Sequence, residues 1–276
     1  MTYDPTIFLG TARFYTIGRP PYSTELVPLL TAEAGLDGTG RLLDVGCGPG
    51  TLTLDLAPLV DGAVGLDPDA EMLAEGARRA AEAGLPAERV RWVQARAEEL
   101  PGLDLGTFRL VTFGQSFQWT DRERVAEAVH DLLEPGGTMA MVVHTVDGRP
   151  EPPSPGHPPI PHDDIRLLIR RYLGDRRRAG QGFSPRLTDR YEDAITRTRF
   201  GPPRIVFVPG RPDLVRDVDE VVAGYHSMSY AAPHLFGERL DAFDGDLRAL
   251  LRERSPDGLF WDWPGDTEVV LSRKAA

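Results

Sequence analysis

The run Leu42-Leu43-Asp44-Val45-Gly46-Cys47-Gly48-Pro49-Gly50, followed by Val64-Gly65-Leu66-Asp67, constrains this chain more than any other feature. Apolar residues around Asp44 feed a buried strand, and glycines at alternate positions turn the backbone tightly under a ligand. A second short strand then ends on the acid Asp67. That order suits a nucleoside held over a parallel sheet. Backbone amides approach the ligand at the glycines, and ribose hydroxyls donate to the carboxylate. Thr51 stands where a dinucleotide fold places its third glycine, so no pyrophosphate cradle is expected.

A chain of 276 residues is long enough for one large α/β domain with an elaborate cap. Its net charge of −11 repels phosphate backbones, so no nucleic-acid partner is expected without a local basic patch. The single cysteine excludes an internal disulfide and a cysteine-based metal cluster. The absence of HExxH or H-x-x-E spacing leaves no metal expected. Met1 to Pro20 lacks a basic-then-apolar signal, and no stretch approaches a membrane span; the expectation is a cytoplasmic protein without a membrane partner.

Leu26, Leu29 and Leu30 predict a helix over 23–34 with Ser23 as its N-cap. Strands are expected at 41–45, 63–66, 90–94, 110–113 and 138–143, with helices between them. Thr120-Asp121-Arg122-Glu123 spells a capping box for a helix through Val125, Ala128, Val129 and Leu132. Residues 150–161 hold seven prolines, a stiff extended segment, and a helix with Ile165, Leu168, Ile169 and Tyr172 on one face follows. Residues 204–208 and 261–271 read as two further strands, the second bent at Pro264-Gly265. Strands alternating with helices make a parallel, doubly wound α/β sheet. The organisation expected is one domain over 1–276. It comprises an N-terminal cap (1–40), a core (41–146), a proline-rich and helical lid insertion (147–203), and the last strands with their helices (204–276).

These residues resemble the class I S-adenosylmethionine-dependent methyltransferases. The resemblance implies a seven-stranded Rossmann-like sheet of order 3-2-1-4-5-7-6, strand 7 antiparallel, with S-adenosylmethionine across the carboxyl ends of strands 1 and 2. It places Asp44 and the Gly46, Gly48 and Gly50 backbone at the methionine part and Asp67 at both ribose hydroxyls, with Pro68 and Gln115 completing the set. The family's Gly-Asp-Ala-Glu-x-Leu-Pro motif reads here Ala95-Arg96-Ala97-Glu98-Glu99-Leu100-Pro101. Arg96 replaces the acid that contacts the adenine amino group, and arginine has only donors. The Ala97 and Glu98 backbone would then supply that contact, with Arg96 stacked on the purine or solvated. Cys47 reads as a packing residue.

Gln115-Ser116-Phe117-Gln118-Trp119 resembles the Q-x-F-H/Q-W segment bordering the acceptor pocket in small-molecule methyltransferases of the trans-aconitate methyltransferase-like group. It is not the Asp-Pro-Pro-Tyr loop of amino-group methylation. Phe14 to Tyr22 matches the same group's R-P-x-Y lead-in, which implies Tyr15 and Arg19 at the methionine carboxylate. Phe117, Trp119, Tyr22, Tyr225 and Tyr230 are the candidate substrate residues.

Methyl transfer needs alignment, exclusion of water and, for some acceptors, a base. His144, ending strand 5, is the first candidate and His226 the second; His157 and His162 lie in or beside the proline-rich segment. The arginines at 166, 170, 171 and 176–178 form either a solvated face or a landing site for an anionic partner. The function expected is methylation of a small organic acceptor, a natural product or organic acid, at oxygen. The alternatives are N- or C-methylation, or a cofactor-binding fold that performs another reaction such as cyclisation. An RNA- or protein-modifying role is disfavoured by the acidic balance, and oligomeric state is not legible.

Overall fold

Each parallel crossover has to cover one face of a sheet, so alternating strands and helices dictate layers. The computed structural model describes residues 4–145, 153–183 and 190–276. Its first half runs α1 (Ala12–Gly18), α2 (Leu26–Ala34), β1 (Arg41–Val45), α3 (Thr51–Leu56), β2 (Gly62–Asp67), α4 (Ala70–Glu82), β3 (Val90–Gln94), β4 (Phe108–Gly114), α5 (Arg122–Leu132) and β5 (Leu133–Thr145). The second half runs α6 (His162–Leu173), β6 (Arg178–Ala179), β7 (Gly182–Phe183), α7 (Tyr191–Thr196), β8 (Arg204–Val208) and β9 (Val215–Asp217). It ends with α8 (Val218–His226), α9 (Leu240–Arg254), β10 (Leu259–Trp261) and β11 (Asp266–Arg273).

Seven of these strands form one sheet in the order β3-β2-β1-β4-β5-β11-β8. Strands β1 to β5 pair in parallel, and β11 runs antiparallel to both β5 and β8. This is the 3-2-1-4-5-7-6 arrangement expected. The order reverses at β1, where β2 lies on one side and β4 on the other, which opens a crevice at the carboxyl ends.

The period of two along each strand sorts the core. Leu43, Val45, Val64 and Leu66 join Val125 and Val129 of α5 on one face. Leu42 and Ala63 join Leu26 and Leu30 of α2 and Leu52 and Leu56 of α3 on the other. Each such leucine or valine, fully buried, contributes about 1.5–3 kcal/mol of transfer free energy. Asp44 shares the face of Leu42, so α3 rather than α5 supplies its partner. A third apolar core, with Ile165, Leu168, Val221, Phe243 and Leu247, joins α6, α8 and α9 into a cap.

The stretch 261–271 is two strands and not one. Trp261 ends β10, which pairs with β9 in a separate ribbon, and the main-sheet strand begins only at Asp266. Pro264 lacks an N–H and Gly265 sits at φ +79°, which breaks the ladder between them. Asp121, not Thr120, caps α5: its side chain accepts from the Arg124 amide, while the Thr120 hydroxyl donates back to Phe117 O at 2.9 Å. Ser23 lies before α2, which opens at Leu26 behind Glu25; its hydroxyl accepts from the Glu25 amide at 3.2 Å. Of the seven prolines, Pro150 and Pro152 lie outside the described residues.

Candidate active site

Two cavities open side by side at the carboxyl ends of β1, β2 and β4. One, of about 270 Å³, reaches from Asp67, Pro68 and Met72 to Arg96, Ala97 and Glu98. The other, of about 260 Å³, is bounded by Arg19, Tyr22, Asp44, Thr51, His144 and Met228. They share Tyr15, Gly46, Gly114 and Gln115. The two cavities adjoin at these four residues, which form the waist between them.

The glycine turn forms the floor. Gly46 has φ +65°, and a Cβ there would lie 2.5 Å from Ser116 Cβ, so this position admits only glycine without movement. Ser116, which sequence reasoning passed over, donates its hydroxyl to Val45 O at 2.6 Å and ties the β4 loop to the turn. Gly48 faces open space. Gly50, expected at the cofactor, instead packs against the Trp92 ring and lines neither cavity. Its φ of +75° lets the chain enter α3.

Asp67 ends β2 with one oxygen accepting the Gly48 amide at 2.8 Å and the other the Asp69 amide at 2.9 Å. Each carboxylate oxygen keeps a lone pair for an incoming hydroxyl. Burial raises its pKa to about 6, against the lowering effect of those two amides. Asp44 is almost fully buried and accepts the hydroxyls of Thr53 at 2.6 Å and Thr112 at 2.8 Å. Arg96 does not swing free: it lines the first cavity with its guanidinium on Glu98 Oε2 at 3.1 Å. Glu98 Oε1 in turn accepts the Asp121 amide at 3.0 Å, fixing the loop after β3 to the start of α5.

At the waist, Gln115 has φ +57°, a strained value for a residue with a Cβ. Its amide donates to Val142 O at 3.0 Å and its carbonyl accepts Gln118 Nε2 at 2.7 Å, which hold it there. In the second cavity Arg19 lies over the Tyr15 ring at 4.7 Å and donates to Ser227 O at 2.9 Å. Tyr22 stacks on His144 with centroids 5.1 Å apart. Arg19 Nε and His144 Nδ1 are buried with no hydrogen-bond partner among the described residues. Burial first, then the Arg19 charge, lowers the His144 pKa to about 4, so its imidazole is neutral at pH 7.

The roof of the first cavity comes from segments far apart in sequence: Asp4, Pro5, Ile7 and Phe8 at the N-terminus, and Ala179, Gly182 and Phe183 of the β6–β7 hairpin. Phe8 meets Trp119 edge-on at 5.8 Å. No motif signals these residues.

Besides Gly50, four expected site residues lie away from both cavities. Phe117 is fully buried between Phe113 and Tyr191. His226 is 1% exposed, with Nε2 on Asp244 Oδ1 at 2.7 Å and Nδ1 on Ala231 O at 3.3 Å, so neither nitrogen is free for a proton transfer. The Tyr225 hydroxyl bonds His162 Nδ1 at 2.7 Å inside the cap, and Tyr230 packs under Arg177. None of the four lines either cavity. Among the described residues, no group of His, Cys, Asp and Glu is placed to hold a metal, and no helix is long and apolar enough to cross a membrane.

Residues 42–137 match the model of a family described as a methyltransferase domain. An uncharacterized methyltransferase of Mycobacterium tuberculosis is 34% identical over 147 residues, 53% of this chain and 56% of that protein. A probable S-adenosylmethionine-dependent methyltransferase of Saccharomyces cerevisiae is 27% identical over 128 residues, 46% of this chain and 43% of that one. The chain thus spans about half the length of these curated relatives. Among solved structures, phospholethanolamine N-methyltransferase 2 of Haemonchus contortus was solved in complex with phosphomonomethylethanolamine and S-adenosylhomocysteine. It superposes with a TM-score of 0.54 at 15% identity, over 100% of this chain and 61% of that one, a likeness of fold.

Proposed function

We propose that residues 42–137, which match a methyltransferase-domain model, work as a class I, S-adenosylmethionine-dependent methyltransferase domain, and that this chain moves a methyl group to an oxygen of a small organic acceptor. The observation that carries the reading is the waist. One chamber ends in a carboxylate suited to ribose hydroxyls, the other in a guanidinium whose buried Nε has no partner among the described residues, and both are lined by Gly46, Gly114 and Gln115. That donor and acceptor set fits the cofactor. Asp67 would take the ribose, the Ala97–Glu98 segment the purine, and Arg19 with Tyr15 the methionine carboxylate. When bound, S-adenosylmethionine supplies an electrophilic methyl on a sulfonium.

The chain's own work is then alignment and proton management. Gln115, Gly114 and Tyr15 narrow the junction and exclude water from it. His144, neutral and with Nδ1 unpartnered among the described residues, accepts the proton of a hydroxyl or phenol acceptor. A pKa near 4 makes it a weak base, but Arg19 is one of the two causes of that value. A carboxylate docked on Arg19 cancels that contribution, so a loaded site holds a more basic His144. Trp119 and Phe8 give the first cavity an apolar wall.

The test is transfer of a labelled methyl group from S-adenosylmethionine into a panel of small hydroxylated and carboxylic acceptors, with RNA alongside. Label is expected in a small molecule, and His144→Gln should lower turnover on hydroxyl acceptors about 10²-fold or more, the usual worth of a general base. Label found only in RNA, or products without the methyl gain, would overturn the reading.

A further inference from the structure

Tyr15 and Arg19, assigned above to the cofactor tail, lie in and just after α1, and α1 does not belong to the sheet. Its seating is made by the cap. Gly18, the last residue of α1, presses on α8: a Cβ there would lie 2.2 Å from Ala223 C and Gly224 N. The opposing position is as tight, since a Cβ on Gly224 would lie 2.9 Å from Gly18 O. Arg19 follows at once and is held by Ser227 O, at the end of the same α8.

One side chain completes this joint. Arg216, in β9, is 5% exposed and sends Nη1 to Gly18 O at 2.7 Å and Nη2 to Ile17 O at 2.6 Å. These are carbonyls that a helix leaves unsatisfied at its C-terminus, where the backbone dipole also favours a cation. Asp262, just after β10, lies 3.3 Å from Nη1 and is itself buried. Asp262 is in turn fixed by its amide, which donates to Leu214 O at 3.0 Å beside β9. Neither Arg216 nor Asp262 lines either cavity. A buried ion pair is seldom retained for stability, since desolvating both charges offsets most of their attraction. A geometric duty is the better account of one placed at a helix end beside a binding residue.

We propose that Arg216, oriented by Asp262, is a positioning residue: it fixes the end of α1 so that Arg19 points into the second cavity and meets the cofactor's carboxylate. The inference rests on the reading of Arg19 given above. It makes the cap part of cofactor selection, because Asp67 at the nucleoside half is set by the sheet strand β2 while the tail half depends on β9, β10 and α8.

The test compares two ligands by calorimetry on the full chain. S-adenosylhomocysteine carries the amino-acid tail; 5′-methylthioadenosine has the same nucleoside thioether without it. Arg216→Lys keeps the charge but loses the two-pronged geometry. It should bind S-adenosylhomocysteine about tenfold more weakly, the worth of one misplaced charge-assisted hydrogen bond, with methylthioadenosine unchanged. In an Arg19→Met background the same substitution should add no further loss. Gly18→Ala, which wedges α1 off α8 without burying an unpaired charge, should give the same tail-selective loss if the arginine variant does not fold. Equal losses for both ligands, additivity with Arg19→Met, or no loss at all would overturn the proposal. A wild-type chain that binds neither ligand would instead remove the cofactor reading beneath it.

Discussion

A single carboxylate sets the nucleoside end of this site, and its protonation has a directional consequence. Asp67 has its pKa raised to about 6 by burial, and a protonated carboxyl accepts hydroxyl hydrogens poorly. Affinity for S-adenosylhomocysteine should therefore be flat above pH 7 and fall below pH ~6, by at most tenfold per pH unit for one proton. Asp67→Asn should bind weakly throughout and lose the pH dependence; titration calorimetry from pH 5 to 8 measures both. A wild-type affinity unchanged between pH 5 and 7 would remove Asp67 from the ribose. Residues of this kind are legible in sequence because their chemistry demands a place as well as a type: Gly46 for its left-handed φ, Asp67 for the end of a strand. His226 and Phe117 carry no such mark. A histidine on Asp244 inside a ring of phenylalanines and a histidine open to a cavity share one letter, and only packing separates them.

Among the elements, those made by local periodicity were readable and those made by tertiary contact were not. The strands β1, β2 and β4 follow from short apolar runs bounded by glycine or acid, β3 from its apolar positions Val90, Trp92 and Val93, and β5 extends beyond its expected core at both ends. In contrast β9 and β10 are three residues each and exist because they pair with one another. Helix α1 has seven residues and owes its place to α8 and Arg216. The roof is of the same type. Asp4 Oδ2 accepts the amides of Gln181 at 2.9 Å and Gly182 at 3.3 Å, latching the N-terminus to the β6–β7 hairpin across the first cavity. Gly180 leaves room for that carboxylate, since a Cβ would lie 2.6 Å from Asp4 Oδ2. Removing a charged acceptor from such a pair costs about 1.5–3 kcal/mol. Asp4→Ala should thus speed S-adenosylhomocysteine release about tenfold with little change in association. Hydrogen exchange at the Gln181 and Gly182 amides should accelerate with it. Stopped-flow dissociation unchanged in the variant would show that the latch does not retain the ligand.

At the scale of the whole molecule, the cleft draws its walls from segments far apart in the chain. Residues 4–19 and 179–183 close over a floor built by residues 44–48, and Met228 completes the second chamber. Such an arrangement couples occupancy to the stability of the entire fold, because a ligand that binds only the assembled cleft stabilises by mass action. With S-adenosylhomocysteine at a hundred times its Kd, the gain is about 2.7 kcal/mol. For a chain of this length that corresponds to a rise in Tm of roughly 5 °C, at about 2 °C per kcal/mol. A single cooperative transition is expected to move as a unit, sheet and cap together, since α1 links them through Gly18 and Arg216. Two transitions, with only the sheet responding, would mean that the cap is an independent unit and that its contacts to α1 do not transmit binding. Differential scanning calorimetry with and without the ligand distinguishes the two outcomes. Asp67→Ala supplies the control, in which neither transition should move.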